Sequence, residues 1–89
     1  MELWIRGQRK GLLIKINSHI KISECNGYYC LLQNEYYLGK YATEERALEV
    51  LDDFAEFITK NAYVEKKNGL GEIIDIIPQP ILLFDMPQE

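Results

Sequence analysis

The sequence predicts an α+β domain: a mostly antiparallel sheet of about five or six strands, with one long amphipathic helix packed on one face. Apolar and polar residues alternate over residues 12–22, which is typical of half-buried antiparallel strands. Asn26 and Gly27 separate two strand-like segments and are the strongest short-range signal of a hairpin. Residues 43–58 carry apolar side chains at helical spacing opposite an acidic face.

Length and composition indicate one folded domain spanning residues 1–89. Hydrophobic residues make up 47% and charged residues 27% of the chain, so we do not expect disorder. A chain this short buries only about two-thirds of the surface that its unfolded form exposes. Its stability margin is therefore small, and self-association is a natural way to increase it.

The first residues and the cysteines favour a cytoplasmic protein. Residues 1–4 contain neither the basic region nor the apolar region of a secretory signal. No apolar run approaches the roughly 20 residues of a membrane span, so no membrane partner is expected. Cys25 and Cys30 are too few for a disulfide framework, which indicates free thiols in a reducing compartment.

Short apolar runs and turn residues predict the strands. We expect strands near residues 3–6, 12–16, 20–23, 28–32, 36–41 and 81–84. Gly39 interrupts one of them and indicates a bulge or close packing. Residues 64–71 are interpreted as a polar connection, and residues 72–77 (EIIDII) fit either a strand or a buried helical turn. The first and last strands are expected to pair with each other.

One helix follows Thr43, whose hydroxyl can cap it, and it ends near Asn61. Glu44 and Glu45 suit the positive end of the helix dipole. The predicted apolar stripe comprises Ala47, Leu48, Leu51, Phe54, Ala55 and Ile58. The opposite face comprises Glu45, Glu49, Asp52, Asp53 and Glu56. We interpret these acids as a solvated face, because no histidine or glycine-rich loop adjoins them.

No pattern of catalytic or metal-binding residues is present. His19, Cys25 and Cys30 are separated by six and five residues, whereas structural zinc sites use four ligands in closely spaced pairs. No nucleophile lies beside a candidate base. We therefore expect no metal, no cofactor and no enzymatic activity.

Tyrosines are concentrated in one predicted hairpin. Neighbouring residues of a strand point to opposite faces, so a single helix cannot cover all of these rings. Tyrosine tolerates exposure and contributes binding energy when a partner covers it. The candidate partner-binding residues are Tyr28, Tyr29, Tyr36, Tyr37 and Tyr41. The alternative explanation is strand propensity, combined with packing of one face under the helix.

Basic residues are concentrated at the beginning of the chain, and acidic residues in the helix. The candidate contacts to an anion or a nucleic acid are Arg6, Arg9, Lys10, Lys15 and Lys21, which could share one side of the sheet. The alternative is that they are solvated strand residues. The net charge of −4 disfavours a dedicated nucleic-acid-binding protein, since such proteins are usually strongly basic.

Two resemblances concern the region around the helix. Leu38, Gly39, Tyr41, Thr43, Glu45 and Ala47 (L-G-x-Y-x-T-x-E-x-A) resemble the strand-to-helix junction of AP2-like and integrase arm-type DNA-binding domains. That resemblance implies a three-stranded sheet that enters the major groove with one helix behind it. The strands here lack the Arg and Lys density that such domains present to DNA.

A second resemblance covers more of the chain. Trp4-Ile5-Arg6 with Gln8, the block L-G-x-Y-x-T-E-E-R-A-x-E-V-L-D and the closing Phe84-Asp85-Met86-Pro87 resemble small uncharacterised proteins of Gram-positive bacteria and their phages or mobile elements. This implies a compact cytoplasmic accessory protein and assigns no functional residue.

The sequence thus favours a non-enzymatic interaction protein that acts through an exposed sheet face and self-associates or binds a protein partner. The segment Tyr28–Leu32 is apolar on both faces, yet only one helix is available to cover one of them. Two alternatives stay open: a nucleic-acid-associated regulator of a mobile element that uses the basic residues, and capture of a small anionic ligand, as some phage proteins do.

Overall fold

A computed structural model describes all residues 1–89. In chain order the elements are β1 (Glu2–Arg6), β2 (Leu13–Lys15), β3 (Ile20–Cys25), β4 (Tyr28–Gln33), β5 (Tyr36–Tyr41), α1 (Glu44–Asn61), β6 (Tyr63–Lys67), β7 (Ile73–Pro78) and β8 (Ile81–Asp85). The predicted α+β class with a single long helix is confirmed. There are eight strands where about five or six were expected, and they form three sheets instead of one.

The first and last strands meet in a three-stranded sheet, here called the terminal sheet. Its order is β2-β1-β8. Strand β1 pairs antiparallel with β2 and parallel with β8, with Glu2 opposite Ile81 and Arg6 opposite Asp85. The predicted pairing of the two ends of the chain is confirmed.

The second sheet, here called the central sheet, has the order β3-β4-β5 and is antiparallel throughout. The register between β4 and β5 shifts after Leu31, which leaves Leu38 as an extra residue that is buried in the core. A Cβ atom on Gly39 would lie 2.9 Å from the Tyr41 hydroxyl and 3.0 Å from Met86 Cε. The irregularity expected at Gly39 is therefore both a bulge and a close approach.

Helix α1 packs across the inner faces of the two sheets. The core comprises Ile5, Leu31, Leu38, Tyr41, Ala47, Val50, Phe54 and Met86. Val50 is fully buried although it was not in the predicted stripe, whereas Leu48 and Ala55 are exposed. Helical residues three and seven positions apart share a face, so the line of Ala47, Val50 and Phe54 faces the sheets.

Both ends of α1 agree with the sequence prediction. The Thr43 hydroxyl accepts a hydrogen bond from Arg46 N at 3.1 Å, which caps the first turn. The Asn61 side chain donates to Phe57 O at 2.8 Å at the other end. The helix is not long and apolar enough to cross a lipid bilayer.

The third sheet is a two-stranded hairpin, β6-β7, that projects from the rest of the molecule; residues 63–78 are here called the arm. Every residue of both strands is exposed. The interpretation of residues 64–71 as a polar connection between elements was wrong, because they contain most of β6 and the hairpin turn. Residues 72–77, left open between helix and strand, contribute to strand β7. The molecule measures 55 × 23 × 21 Å as a result.

Candidate functional site

The structure separates the five candidate tyrosines into an exposed and a packed group. Tyr28, Tyr36 and Tyr37 expose 44%, 57% and 57% of their surface. Tyr29 is half-buried and packs against the core from the inner face of the central sheet. Tyr41 is only 2% exposed. The expectation that all five contribute to a partner surface therefore needs correction, since Tyr41 belongs to the core.

Tyr41 anchors the end of the chain. Its hydroxyl donates to Pro87 O at 2.8 Å. Burial raises the pKa of Tyr41 to about 12, although the guanidinium of Arg46, 5.9 Å from the ring centre, acts in the opposite direction. The hydroxyl therefore keeps its proton and donates this bond at every physiological pH.

The basic candidates do not share one face, contrary to the prediction. Arg6 Nε lies 3.5 Å and Lys10 Nζ 3.9 Å from the same Asp85 carboxylate. Lys15 Nζ lies 3.0 Å from Glu2. These three residues lie at the terminal sheet, where two carboxylates offset part of their charge. Lys21 lies on the outer face of the central sheet, on the same side of β3 as Cys25. Arg9 lies in the loop after β1.

An apolar strip occupies the outer face of the terminal sheet, and sequence reasoning missed it. It comprises Trp4, Leu13, Ile81 and Leu83, which surround a shallow depression of about 310 Å³. The last three expose 49%, 58% and 42% of their surface. The Glu2–Lys15 and Arg6–Asp85 ion pairs lie on the same face in the alternating pattern of the strands. The available signal was the run ILLF in β8, which is apolar on both faces.

The arm carries the largest group of exposed apolar side chains in the molecule. They are Tyr63, Val64, Leu70, Ile73, Ile74, Ile76 and Ile77, each at least 42% exposed. Val64 lies opposite Ile77 on one face, and Tyr63 opposite Pro78 on the other. Both faces therefore carry apolar side chains, interspersed with the charged residues Glu65, Lys66, Lys67 and Asp75, and every strand residue is exposed.

A cleft of about 580 Å³ lies on the outer face of the central sheet. Its lining includes Arg9, Cys25, Asn26, Tyr28, Tyr37 and Lys40. The Lys40 ammonium lies 4.4 Å from the centre of the Tyr28 ring, and Cys25 Sγ lies 3.6 Å from the Tyr37 hydroxyl. The cleft is therefore lined by two tyrosine rings, Tyr28 and Tyr37, and by two cations, Arg9 and Lys40.

Two side chains of this cleft, Tyr37 and Cys30, have raised pKa values. The hydrogen bond with the Cys25 sulfur raises the pKa of Tyr37. Burial, and then the nearby Cys25, raise the pKa of the Cys30 thiol. Neither residue therefore adds a negative charge at neutral pH that would cancel those of Arg9 and Lys40.

Comparisons of the chain with protein-family models, with curated proteins and with solved structures give no match. The resemblances noted in the sequence therefore stay predictions. Three exposed surfaces of the molecule are candidates for its function: the arm, the apolar strip and the cleft.

Proposed function

We propose that the protein is a small non-enzymatic interaction protein that works as a homo-oligomer, with the arm and the apolar strip of each copy covered by a second copy. The supporting observation is the amount of surface that a single chain exposes. The chain exposes 6260 Å², whereas a compact monomer of 10.4 kDa exposes about 5,400 Å². The excess of about 850 Å² is close to the ~800 Å² that each partner contributes to a standard interface.

The arm, in which every strand residue is exposed, contributes to this excess. The radius of gyration is 15.8 Å, compared with about 12 Å for a compact chain of 89 residues. An isolated two-stranded hairpin is at best marginally stable in water. An arm with apolar residues on both faces therefore gains stability when it is covered.

The arm and the apolar strip adjoin in the chain. The arm ends at Pro78, and Ile81, the first residue of β8, belongs to the strip. Ion pairs on the face that carries the strip supply the polar rim that surrounds the apolar centre of many interfaces. The arm and the strip are therefore candidate parts of one interface between two copies.

A second copy of this chain is the occupant that these surfaces favour. One surface is a projecting hairpin and the other a shallow depression, and both carry exposed apolar side chains. A two-fold axis would place each arm on the strip of its partner and use both surfaces twice.

Docking by faces fits the arm better than addition of a further strand. The Asp75 carboxylate accepts the Ile76 N–H at 2.8 Å, and Pro78 has no N–H to donate. Charge and proline on an edge strand both oppose strand addition.

Nucleic-acid binding has less support. Arg6 and Lys10 share the Asp85 carboxylate and Lys15 pairs with Glu2, which lowers the net positive charge that these residues offer to phosphates. If the protein bound a nucleic acid, that binding would weaken steeply as the salt concentration rises.

The free thiols Cys25 and Cys30 support a cytoplasmic setting for the interaction protein.

Sedimentation equilibrium over a range from about 1 to 100 µM tests the proposal. The expected mass is a multiple of 10.4 kDa that falls reversibly on dilution. Ile76→Lys in the arm and Leu83→Lys in the strip should each weaken association at least tenfold, because each places a charge in an apolar interface.

Leu48→Lys is the matched control. Leu48 exposes 45% of its surface on the helix, close to the 42% of Leu83, but it belongs neither to the arm nor to the strip. Its replacement should leave association unchanged. A wild-type protein that stays monomeric at the highest concentration contradicts the proposal.

A further inference from the structure

We propose that the cleft on the outer face of the central sheet is a binding site for a small aromatic molecule that carries a phosphate, of the size and chemistry of a mononucleotide. This inference goes beyond the proposed self-association, because the cleft uses neither the arm nor the apolar strip. The volume of about 580 Å³ lies within the range of clefts that hold small molecules. Cys30, Leu38 and Gly39, all buried, supply its apolar base.

The charge of the cleft points to an anion. Arg9 and Lys40 line it, and no aspartate or glutamate does, although the chain as a whole has a net charge of −4. Neither cation has a carboxylate partner. The other basic residues of the first half of the chain, apart from Lys21, are paired with Asp85 or Glu2. The cleft therefore concentrates positive charge that the protein leaves uncompensated.

Gln8 joins the backbone beside Arg9 to the backbone of Lys40. Its backbone N–H donates to Leu38 O at 2.9 Å. Its side-chain oxygen accepts from Lys40 N at 2.9 Å, and its side-chain nitrogen donates to Lys40 O at 3.1 Å. The loop that carries Arg9 is thereby fastened along the edge of β5, where Lys40 lies. The backbone at Arg9 and the backbone at Lys40, 31 positions apart in the chain, are thus held together before any ligand arrives, which lowers the part of the entropic cost of binding that comes from ordering the loop.

The two tyrosines supply the aromatic contact. Tyr28 and Tyr37 line the cleft with exposures of 44% and 57%. An exposed tyrosine ring can stack on a nucleobase, and such stacking contributes about 1–3 kcal/mol per base. The Arg9 guanidinium can donate two parallel hydrogen bonds to a phosphate, and Lys40 adds a point charge.

A single small anion fits these residues better than a nucleic-acid chain. A polymer needs a row of cations that follows its phosphates. Of the nearby basic residues, Arg6 and Lys10 share the Asp85 carboxylate. Within the cleft, two cations without carboxylate partners beside two rings correspond to one phosphate and one base, and Lys21, also without a carboxylate partner, lies outside the cleft.

Isothermal titration calorimetry with adenosine monophosphate as the probe tests the site. Saturable binding is expected, with adenosine and inorganic phosphate each at least tenfold weaker, because each lacks one of the two recognised groups. Absence of saturable binding of adenosine monophosphate up to about 5 mM, or equal binding of adenosine, overturns the proposal.

Substitutions separate the site from unspecific attraction. Arg9→Gln and Lys40→Gln should each weaken binding of adenosine monophosphate about tenfold or more. Tyr37→Ser should weaken it through loss of stacking. Lys21→Gln is the matched control, since Lys21 is a further unpaired cation on the same sheet face but does not line the cleft. An equal loss in the Lys21 variant would show unspecific electrostatics and overturn the proposal.

Sedimentation of the same variants keeps this result apart from the proposed self-association. All four substituted residues are exposed and lie outside the arm and the strip, so the mass should not change. Ligand binding can therefore fail while the oligomer persists, and a monomeric protein can still bind the probe.

Discussion

The buried side chain of Gln33 forms hydrogen bonds with three backbone groups that lie outside its own strand. Its side chain is 2% exposed in strand β4. The oxygen accepts from Asn17 N at 3.0 Å and from Ser18 N at 3.2 Å, and the nitrogen donates to Lys15 O at 3.1 Å. A buried amide with all these bonds ties the connection between β2 and β3 to the central sheet, and so joins the two sheets.

Gln33→Met should lower the free energy of unfolding by about 2–3 kcal/mol, because the three backbone groups lose their partner while the volume stays similar. Urea denaturation followed by circular dichroism measures this. Gln79→Met is the control, since Gln79 is half-buried and its side chain makes no hydrogen bond. Equal losses in the two variants would contradict this role for Gln33.

Tyr41 should make stability depend on alkaline pH. Its pKa in the folded protein, about 12, exceeds its ordinary value of 10.0. The folded state therefore holds the proton more tightly, so this stabilisation is complete below pH 10 and decreases as the pH rises toward 12. The difference in unfolding free energy between wild type and Tyr41→Phe should shrink over that window. A constant difference from pH 9 to 12 would argue against the raised pKa.

At the level of elements, α1 illustrates how a local signal sets a boundary. Thr43→Ala should cost about 1 kcal/mol of unfolding free energy, because Arg46 N loses its acceptor. Thr43→Ser keeps the hydroxyl and should retain most of the stability. Thermal and urea unfolding of the two variants compare them directly. Similar losses in both would mean that the methyl group, not the cap, matters.

The arm should respond to protein concentration in hydrogen exchange. If a second copy covers it, amides of β6 and β7 will exchange fast at about 1 µM and become protected at about 100 µM. Amides of β4 provide the internal control, because this central strand, with Cys30, Leu31, Leu32 and Gln33 buried, should be protected at both concentrations. Concentration-independent exchange in the arm would mean that it stays uncovered.

At the scale of the whole molecule, the melting temperature should depend on protein concentration. A partner that binds only the folded state raises the melting temperature as its concentration increases. We therefore expect the melting temperature to rise with protein concentration in wild type, and to be independent of it in Ile76→Lys. Differential scanning calorimetry at two concentrations about a hundredfold apart measures the difference. A wild-type melting temperature that is unaffected by concentration would contradict self-association.

Features that depend only on neighbouring residues, such as the helix, its start and one hairpin turn, are predictable from the sequence alone. Periodicity placed α1, Thr43 marked its start, and Asn26-Gly27 marked the turn between β3 and β4. The apolar runs at the two ends of the chain predicted β1 and β8. These features follow from backbone geometry within a few residues, so composition and spacing are sufficient to find them.

The character of each surface depends on how distant segments of the chain pack together. Tyr41 is buried while Tyr37 is exposed, because a register shift between β4 and β5 sets which face each residue joins. Arg6 meets Asp85 and Gln8 meets Lys40 across 79 and 32 positions of the chain. The arm differs from the other sheets because all residues of its two strands are exposed. Such features depend on which distant segments pack together, and local sequence patterns carry no information about that choice.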